Sequence, residues 1–120
     1  QQLFNVGAEL SCPGEAWVTE AAVQQITDWC QQFNDTLPPL KEFVVPGPPE
    51  SAARCHLARA LLRRAERSVV AVHREVPVSG TALALLNRSS DLLFIFARCL
   101  SRAYNEQESQ WQHPTKENPS

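Results

Sequence analysis

Residues 59–67 read Arg-Ala-Leu-Leu-Arg-Arg-Ala-Glu-Arg, and residues 87–91 read Asn-Arg-Ser-Ser-Asp. Each stretch lies inside a long helical pattern that places polar side chains about one helical turn apart. On a helix, the polar residues of the first stretch share one stripe: Arg59, Arg63, Glu66 and Arg67. A second stripe consists of Asn87, Asp91, Phe94 and Arg98. If the two helices pack together, guanidinium, carboxylate and amide groups meet, a set that suits an anionic, nucleotide-like ligand.

The remaining sequence predicts an all-α protein, an antiparallel helical bundle that buries apolar faces helix against helix. We expect a first helix over residues 1–10, a second from the N-cap Thr19 to about residue 34, a third from Ser51 to about His73, and a fourth from Ser79 or Thr81. In the third helix, the apolar positions include Leu57, Leu61, Ala65, Val69 and Val72. In the fourth helix they follow an a/d alternation, namely Leu83, Leu86, Ser90, Leu93, Ala97, Leu100 and Tyr104.

Length and composition limit the class of protein. With 120 residues, 43% of them hydrophobic and 20% charged, the chain is expected to form one helical domain over 1–105 and a polar, irregular tail over 106–120. A formal net charge of −2 argues against a general nucleic-acid binder, although six arginines stand against two glutamates between Arg54 and Glu75. No apolar run approaches the ~20 residues that span a bilayer, so no membrane association is expected.

Cysteine usage indicates a reducing compartment, and histidine spacing gives no sign of a metal site. The three histidines lack metal-ligand spacing, and no CxxC pair occurs among the four cysteines, which are Cys12, Cys30, Cys55 and Cys99. A disulfide framework is typical of secreted chains, and the sequence shows no signal peptide. We therefore expect free thiols and a cytoplasmic location.

Three motifs in order along the chain resemble those of the PduO-type ATP:cob(I)alamin adenosyltransferases. They are the Leu-Pro-Pro-Leu-Lys-Glu-Phe segment at 37–43, the arginine-rich stretch at 59–67 and the stretch at 87–91. The resemblance implies a homotrimer with active sites between subunits. It also implies transfer of the 5′-deoxyadenosyl group of ATP to cob(I)alamin, with Mg²⁺ present and triphosphate released. A flavoprotein or other reductase is implied as the electron donor.

The resemblance also implies roles for individual residues. Cob(I)alamin is itself the nucleophile, so no catalytic side-chain nucleophile is expected. Arg59, Arg63, Glu66 and Asn87 correspond to ATP contacts, with Glu66 also a candidate for Mg²⁺. The cobalamin positions are Phe43, Arg64 and Asp91, Phe43 being the aromatic beneath the corrin. Interface or site-forming positions are Arg67 and Arg88.

The sequence departs from the family pattern in two places. In the family, a phosphate-binding segment rich in lysine, threonine and glycine precedes the first helix, as does a helix with an acidic partner for one of the arginines, and this sequence begins after both. That difference keeps open a second hypothesis, a non-catalytic bundle that carries cobalamin or ATP. The family's Asn-Arg-Leu-Ser-Asp has Ser89 in place of the leucine, a change expected to affect packing more than chemistry.

Simpler interpretations exist for the same residues. The arginines could form a solvated helix face with weak pairs to Glu66. Phe43 could be a loop anchor, and Asp91 could hold an arginine across a subunit interface. A third hypothesis is therefore a purely structural bundle that oligomerises through its last helix.

Overall fold

The computed structural model of the chain describes residues 1–12, 15–39 and 48–116, with side chains described as far as residue 105. These residues form four α-helices and no strand: α1 (Gln2–Ser11), α2 (Glu20–Asn34), α3 (Glu50–His73) and α4 (Gly80–Lys116). The prediction of an all-α bundle is confirmed, and each predicted helix start lies within one residue of the observed one.

Two short polar side chains set the start of helices as predicted. The Thr19 hydroxyl accepts a hydrogen bond from the backbone N–H of Ala22 at 3.1 Å. The Ser79 hydroxyl accepts one from the backbone N–H of Ala82, also at 3.1 Å. Each cap satisfies a donor that the first helical turn cannot pair internally, which explains why the helices begin there.

Helix α4 is the centre of the bundle, because α2 and α3 both pack against it. Contacts of α3 with α4 run in opposite chain directions, as Glu66 meets Asn87 and Arg59 meets Phe94. The Phe33 ring of α2 packs on Phe96 of α4, with ring centroids 5.2 Å apart. Successive helices of the α2–α3–α4 unit thus alternate in direction.

The buried face of α4 is wider than the predicted a/d seam. Leu86, Ser90 and Ala97 are buried as expected, and so are Ala82, Leu85 and Ile95, which the seam omitted. A single seam serves a helix with one neighbour, whereas α4 has neighbours on two sides. Ser90 tolerates full burial because its hydroxyl donates to the backbone carbonyl oxygen of Asn87 at 2.8 Å.

Most of the apolar positions of α3 do not face the core. Of the five that the sequence pattern gives, only Val69 is buried, whereas Leu57 and Leu61 are 61% and 57% exposed and Val72 is 46% exposed. Leu62 packs against the core instead. We call the exposed set the α3 outer stripe, which consists of Leu57, Leu61, Ala65 and Val72. Helix α3 turns Arg59 and Glu66 of its polar stripe to α4, where both find partners, as described below.

Helix α4 continues to Lys116, beyond the predicted end of the bundle at residue 105. The predicted polar tail is thus helical over 106–116, while the boundary between bundle and tail stays a prediction. The polar composition of residues 106–116 leaves no apolar periodicity from which a helix can be predicted. It does not prevent a helix that has already begun from continuing. Among the described residues, no helix combines the length and apolar composition needed to cross a membrane.

Glu9 joins three elements at one end of the bundle. This buried carboxylate accepts hydrogen bonds from the backbone N–H groups of Val18, at 2.8 Å, and Trp17, at 3.2 Å. Its other oxygen accepts one from the Ser79 hydroxyl at 2.7 Å. Burial acts to raise the pKa of Glu9, but these hydrogen bonds outweigh it and hold the pKa below its ordinary value. The ionised carboxylate therefore stabilises the fold.

We expect Glu9→Gln to lower the free energy of unfolding by about 1–3 kcal/mol at pH 7, because charged hydrogen bonds are lost at a buried position. A carboxyl whose folded pKa is lowered stabilises the protein above its unfolded pKa of about 4.3, and that contribution disappears as pH falls through the folded pKa. Urea unfolding of wild type and variant should thus differ at pH 7 and converge in acid. The exposed Glu15→Gln is the control, and an equal loss in both variants would contradict the role of Glu9.

Candidate functional site

A hydrogen bond across the α3–α4 interface joins the two polar stripes. The side-chain amide of Asn87 donates to Glu66 Oε2 at 3.2 Å. Glu66 is half-buried, and its other oxygen lies 3.7 Å from Nη1 of Arg63, one turn earlier on α3. The amide and the carboxylate thus satisfy each other where water is partly excluded, and the carboxylate turns its second oxygen toward a more exposed guanidinium.

Arg88 extends this arrangement along α4. Its Nη1 donates to the side-chain oxygen of Asn87 at 3.2 Å and lies 3.7 Å from Oδ2 of Asp91. We call the connected series the polar chain, which consists of Arg63, Glu66, Asn87, Arg88 and Asp91. Charges alternate along it around a neutral amide, so each of its two carboxylates faces a guanidinium.

Arg59 meets α4 through an aromatic ring. Its Cζ lies 4.9 Å from the ring centroid of Phe94, within the range of a cation–π contact. In the described part of the chain, Arg59 Nε is buried without a hydrogen-bond partner. The His56 ring packs edge-on against Phe94 with centroids 6.0 Å apart. Burial and, secondarily, the Arg59 charge lower the pKa of His56, so the imidazole stays neutral at pH 7.

A shallow depression lies along the exposed side of α3. Its volume is about 370 Å³, and we call it the α3 depression; its lining residues are Arg63, Glu66, Arg67, Val70, Ala71 and Arg74. Its three arginines stand against one carboxylate, and that carboxylate already accepts from Asn87. The surface is therefore suited to an anion, and guanidinium groups bind phosphate oxygens bidentately.

A larger groove of about 490 Å³ runs between α2 and α4, and we call it the α2–α4 groove. Polar groups of the polar chain border it beside apolar walls; the lining residues are Thr27, Cys30, Gln31, Asn34, Arg88, Asp91, Phe94, Ile95 and Arg98. Burial and, after it, the Asp91 charge raise the pKa of the Cys30 thiol, which donates to the Arg88 carbonyl oxygen at 3.6 Å. The protonated thiol therefore lines the groove and does not act as a nucleophile.

Two arginines of α4 hold the start of the α2–α3 connector. Arg98 Nη2 donates to the carbonyl oxygen of Pro38 at 2.6 Å, and Arg102 Nη1 donates to the carbonyl oxygen of Thr36. These bonds fix the connector against α4 just before the segment that contains Phe43. Phe43 itself, and its predicted role, lie outside the described residues.

The structure brings together most of the predicted ATP residues. Asn87 contacts Glu66, Glu66 contacts Arg63, and Arg59 lies on the same face of α3. The interpretation of this stripe as a solvated face is wrong for the half-buried Arg59 and Glu66, although Arg63 and Arg67 do reach solvent.

Two of the predicted cobalamin residues lie apart in a single chain. Asp91 borders the α2–α4 groove, whereas Arg64 is exposed and, by helical spacing from Leu57 and Leu61, lies beside the α3 outer stripe. The structure does not bring Arg64 to Asp91 within one subunit.

The role of Glu66 as a possible Mg²⁺ ligand stays a prediction. Its Oε2 accepts a hydrogen bond from Asn87, whereas its Oε1 lies 3.7 Å from Arg63 Nη1, beyond hydrogen-bond distance. Within the described residues, no group of three histidine, cysteine or acidic side chains could hold a metal ion. Mg²⁺ prefers carboxylates and phosphate oxygens that are free to coordinate it.

Sequence reasoning missed the contacts of His56 and Arg98. His56 precedes Arg59 by three residues, so helical spacing alone could have placed both on one face. Arg98 was part of the second stripe, but its partner is a backbone carbonyl oxygen of a distant loop, which no side-chain pattern reveals.

Known proteins of one family are similar to this chain in sequence. The family model described as cobalamin adenosyltransferase matches residues 1–100. A cobalamin adenosyltransferase of Cupriavidus metallidurans is 41% identical over 110 residues, which are 92% of this chain and 60% of that protein. A corrinoid adenosyltransferase of Mycobacterium leprae is 39% identical over 108 residues, with 80% of this chain and 56% of that protein covered. The chain thus spans 60% or less of the length of these two relatives.

A solved structure shows the same architecture. It is a variant of a PduO-type ATP:corrinoid adenosyltransferase from Lactobacillus reuteri, complexed with cobalamin and ATP. Its TM-score with this chain is 0.77 at 30% identity, and the match covers 89% of this chain and 61% of that one.

We expect Asn87→Asp to destabilise the fold by about 2 kcal/mol, more than the ~1 kcal/mol expected for Asn87→Ala, because it sets a second carboxylate against Glu66. Urea unfolding at pH 7 measures both variants. In acid, the paired carboxyls can share a proton, so the excess cost of the aspartate should shrink. The exposed Asn105→Asp is the control, and equal costs for both substitutions at residue 87 would show that the amide is not held against Glu66.

Proposed function

Since this chain belongs to the cobalamin adenosyltransferase family, we propose that it transfers the 5′-deoxyadenosyl group of ATP to cob(I)alamin, giving adenosylcobalamin and triphosphate. The observation that carries the proposal is the Asn87–Glu66 hydrogen bond, which gathers the predicted ATP residues on one side of the α3–α4 interface. Function is argued from this site rather than from the helical fold, since helical bundles serve many functions.

The proposed chemistry requires little covalent participation from the protein. The electron pair of cob(I)alamin forms the Co–C5′ bond, and the C5′–O bond breaks with its pair leaving on triphosphate, so that cobalt is oxidised from Co(I) to Co(III). The protein's task is to align C5′ with cobalt and to stabilise charge on the departing phosphates. Because cobalt supplies the attacking electron pair, the proposed mechanism needs no activated side-chain nucleophile.

Arginines of α3 are the groups we assign to the phosphates. Arg63 is held loosely by Glu66 at 3.7 Å, so it can turn to a phosphate without abandoning a strong ion pair. Arg67 shares the α3 depression with it. Any Mg²⁺ would be held by the phosphate oxygens of ATP, and Glu66 Oε1 is a possible further ligand once Arg63 turns to the phosphates.

We assign cobalamin to the side of α4 that faces α2. Asp91 and Arg88 border the α2–α4 groove, whose apolar walls suit part of a corrin and whose polar groups suit its amide side chains. The anchoring of Pro38 by Arg98 supports a fixed start for the connector that leads to Phe43. An apolar ring there would displace the lower nitrogen ligand of cobalamin and ease reduction of Co(II) to Co(I).

We further propose a homotrimer in which the α3 outer stripe lies at the subunit boundary. Leu57 and Leu61 expose large apolar side chains one turn apart, and such a stripe is costly to leave in water. Arg64 lies beside this stripe, so assembly would bring it to a neighbour's site although it makes no pair with Asp91 within one chain.

The cellular setting forms part of the same proposal. All four cysteines are free thiols, which supports a reducing cytoplasm. A flavoprotein or other reductase would supply the electrons that produce cob(I)alamin. Turnover with ATP and chemically reduced cobalamin tests the activity directly, and an inert protein that still binds cobalamin would support the carrier hypothesis instead.

We expect Arg63→Ala to raise the KM for ATP by about 10- to 100-fold, because a charge-assisted contact to phosphate is lost. Unfolding free energy should change by less than ~0.5 kcal/mol, since the Arg63 side chain is 44% exposed and weakly paired. Initial rates at varied ATP and urea unfolding give the two quantities. Arg54→Ala is the matched control on the same helix, where Arg54 is paired with Glu50; a similar KM change in both variants would contradict the assignment.

Leu61→Glu should convert the trimer to monomers, because a charge at the centre of the α3 outer stripe cannot be buried between subunits. Light scattering after size-exclusion chromatography measures the mass. Val76→Glu, at an exposed apolar position after α3, serves as the comparison. A trimeric Leu61→Glu protein would exclude this stripe as the interface, and a monomeric wild type would overturn the trimer itself.

A further inference from the structure

We propose that Arg98 binds an amide side chain of the corrin at one end of the α2–α4 groove, and so determines which corrinoids the protein accepts. The inference rests on the proposed function, because it takes that groove as the cobalamin site. It adds a substrate contact on α4, two helical turns beyond Asp91.

Arg98 is held in place where it borders the groove. Its Nη2 donates to the carbonyl oxygen of Pro38 at 2.6 Å, and the residue is half-buried and lines the groove. In the described part of the chain, no carboxylate lies within ion-pair distance of Arg98, whereas Arg88 has Asp91 at 3.7 Å. The charge of Arg98 is therefore fixed at the groove without a counter-ion from those residues.

A guanidinium in this setting retains donors for a ligand. It has five N–H groups, and the carbonyl oxygen of Pro38 accepts from one of them. An amide oxygen suits the remaining donors, because a hydrogen bond from a charged donor is stronger than one between neutral groups. The rim of a corrin carries such amides around an apolar ring. Arg98 and the apolar walls of the groove together therefore match one edge of a corrin.

The α4 wall of the groove presents polar groups at both ends and apolar groups between them. Four groove-lining residues share one face of the helix at positions i, i+3, i+4 and i+7, namely Asp91, Phe94, Ile95 and Arg98. About 10 Å along the helix axis separates the first from the last. The apolar pair suits the ring, while Arg98 donates to one amide oxygen and Asp91 accepts from an amide N–H group.

A test must separate ligand binding by Arg98 from its anchoring of the connector. One turn further along α4, Arg102 also donates to the connector, at the carbonyl oxygen of Thr36, yet it is not among the groove-lining residues. Arg102→Met is therefore the matched control, because it removes a guanidinium contact with the connector and leaves the groove wall unchanged. Arg98→Met keeps an unbranched side chain at the groove and removes the charge and the donors.

Anaerobic calorimetry with cob(II)alamin, in the presence of ATP, gives the Kd of the corrinoid. We expect Arg98→Met to raise this Kd by about 5- to 30-fold, since a charge-assisted hydrogen bond is lost. The probe of specificity is a panel of cobalamin monocarboxylates in the Co(II) state, in each of which one corrin amide is replaced by a carboxylate. For one member of the panel, Arg98→Met should raise the Kd by about fivefold more than for cobalamin, because a guanidinium binds a carboxylate more strongly than an amide.

Two further variants show whether the effect comes from the guanidinium itself. Arg98→Lys keeps a positive charge on an unforked side chain, so it should bind cobalamin more weakly than wild type and still favour the same monocarboxylate over Arg98→Met. Arg102→Met should leave the relative affinities within the panel within about twofold of wild type. Equal effects of Arg98→Met on every member of the panel, loss of the preference in Arg98→Lys, or the same change of preference in Arg102→Met would overturn the inference.

The same measurements separate this inference from the proposed function. A wild-type protein that binds cob(II)alamin without turnover overturns the enzymatic activity alone, since the affinities for the panel are still measured. A wild-type protein that turns over but discriminates among the monocarboxylates independently of Arg98 overturns this inference alone. A wild-type protein that binds no corrinoid overturns both proposals.

Discussion

The hydrogen bond from Asn87 to Glu66 is the constraint on which the arrangement of α3 and α4 depends. A half-buried carboxylate needs a donor, and the amide on α4 supplies it only in one rotational setting of α3. That setting turns Arg59 and Glu66 toward α4 and leaves Leu57 and Leu61 outside. One polar contact thus determines both the cationic surface within the subunit and the apolar stripe that we assign to its neighbours.

Helix α4 separates two surfaces of different character. On its α3 side lie guanidinium groups suited to phosphate, and on its α2 side lies a groove with apolar walls. Phe94 and Asp91 both border that groove, and Phe94 reaches Arg59 on the other side while Asp91 continues the polar chain. A reaction between two substrates benefits when both are positioned by one rigid element, because relative placement then costs little on each turnover.

Local signals predicted the helices well and their orientation poorly. Thr19 and Ser79 cap helices because their side-chain oxygens accept hydrogen bonds from otherwise unpaired backbone N–H groups. Each donor lies within four residues of its acceptor along the chain. Leu57 and Leu61, by contrast, belong to the apolar repeat of α3 and yet are exposed, because apolar periodicity reports only the most hydrophobic face of a helix. Periodicity does not show whether the polar face of a helix has hydrogen-bond partners on another helix. The polar face of α3 has such a partner, because Glu66 accepts a hydrogen bond from Asn87 of α4.

The sequence by itself determined the helical class, the position of each helix start and the identity of the two polar stripes, since these follow from neighbours along the chain. Tertiary structure alone decided that Asn87 pairs with Glu66, that Arg59 rests on Phe94, and that Arg64 is remote from Asp91. These outcomes depend on the rotation of α3 about its own axis. Hydrogen bonds between buried polar groups that lie far apart along the chain determine that rotation. A pattern of neighbouring residues does not show which of these groups will pair.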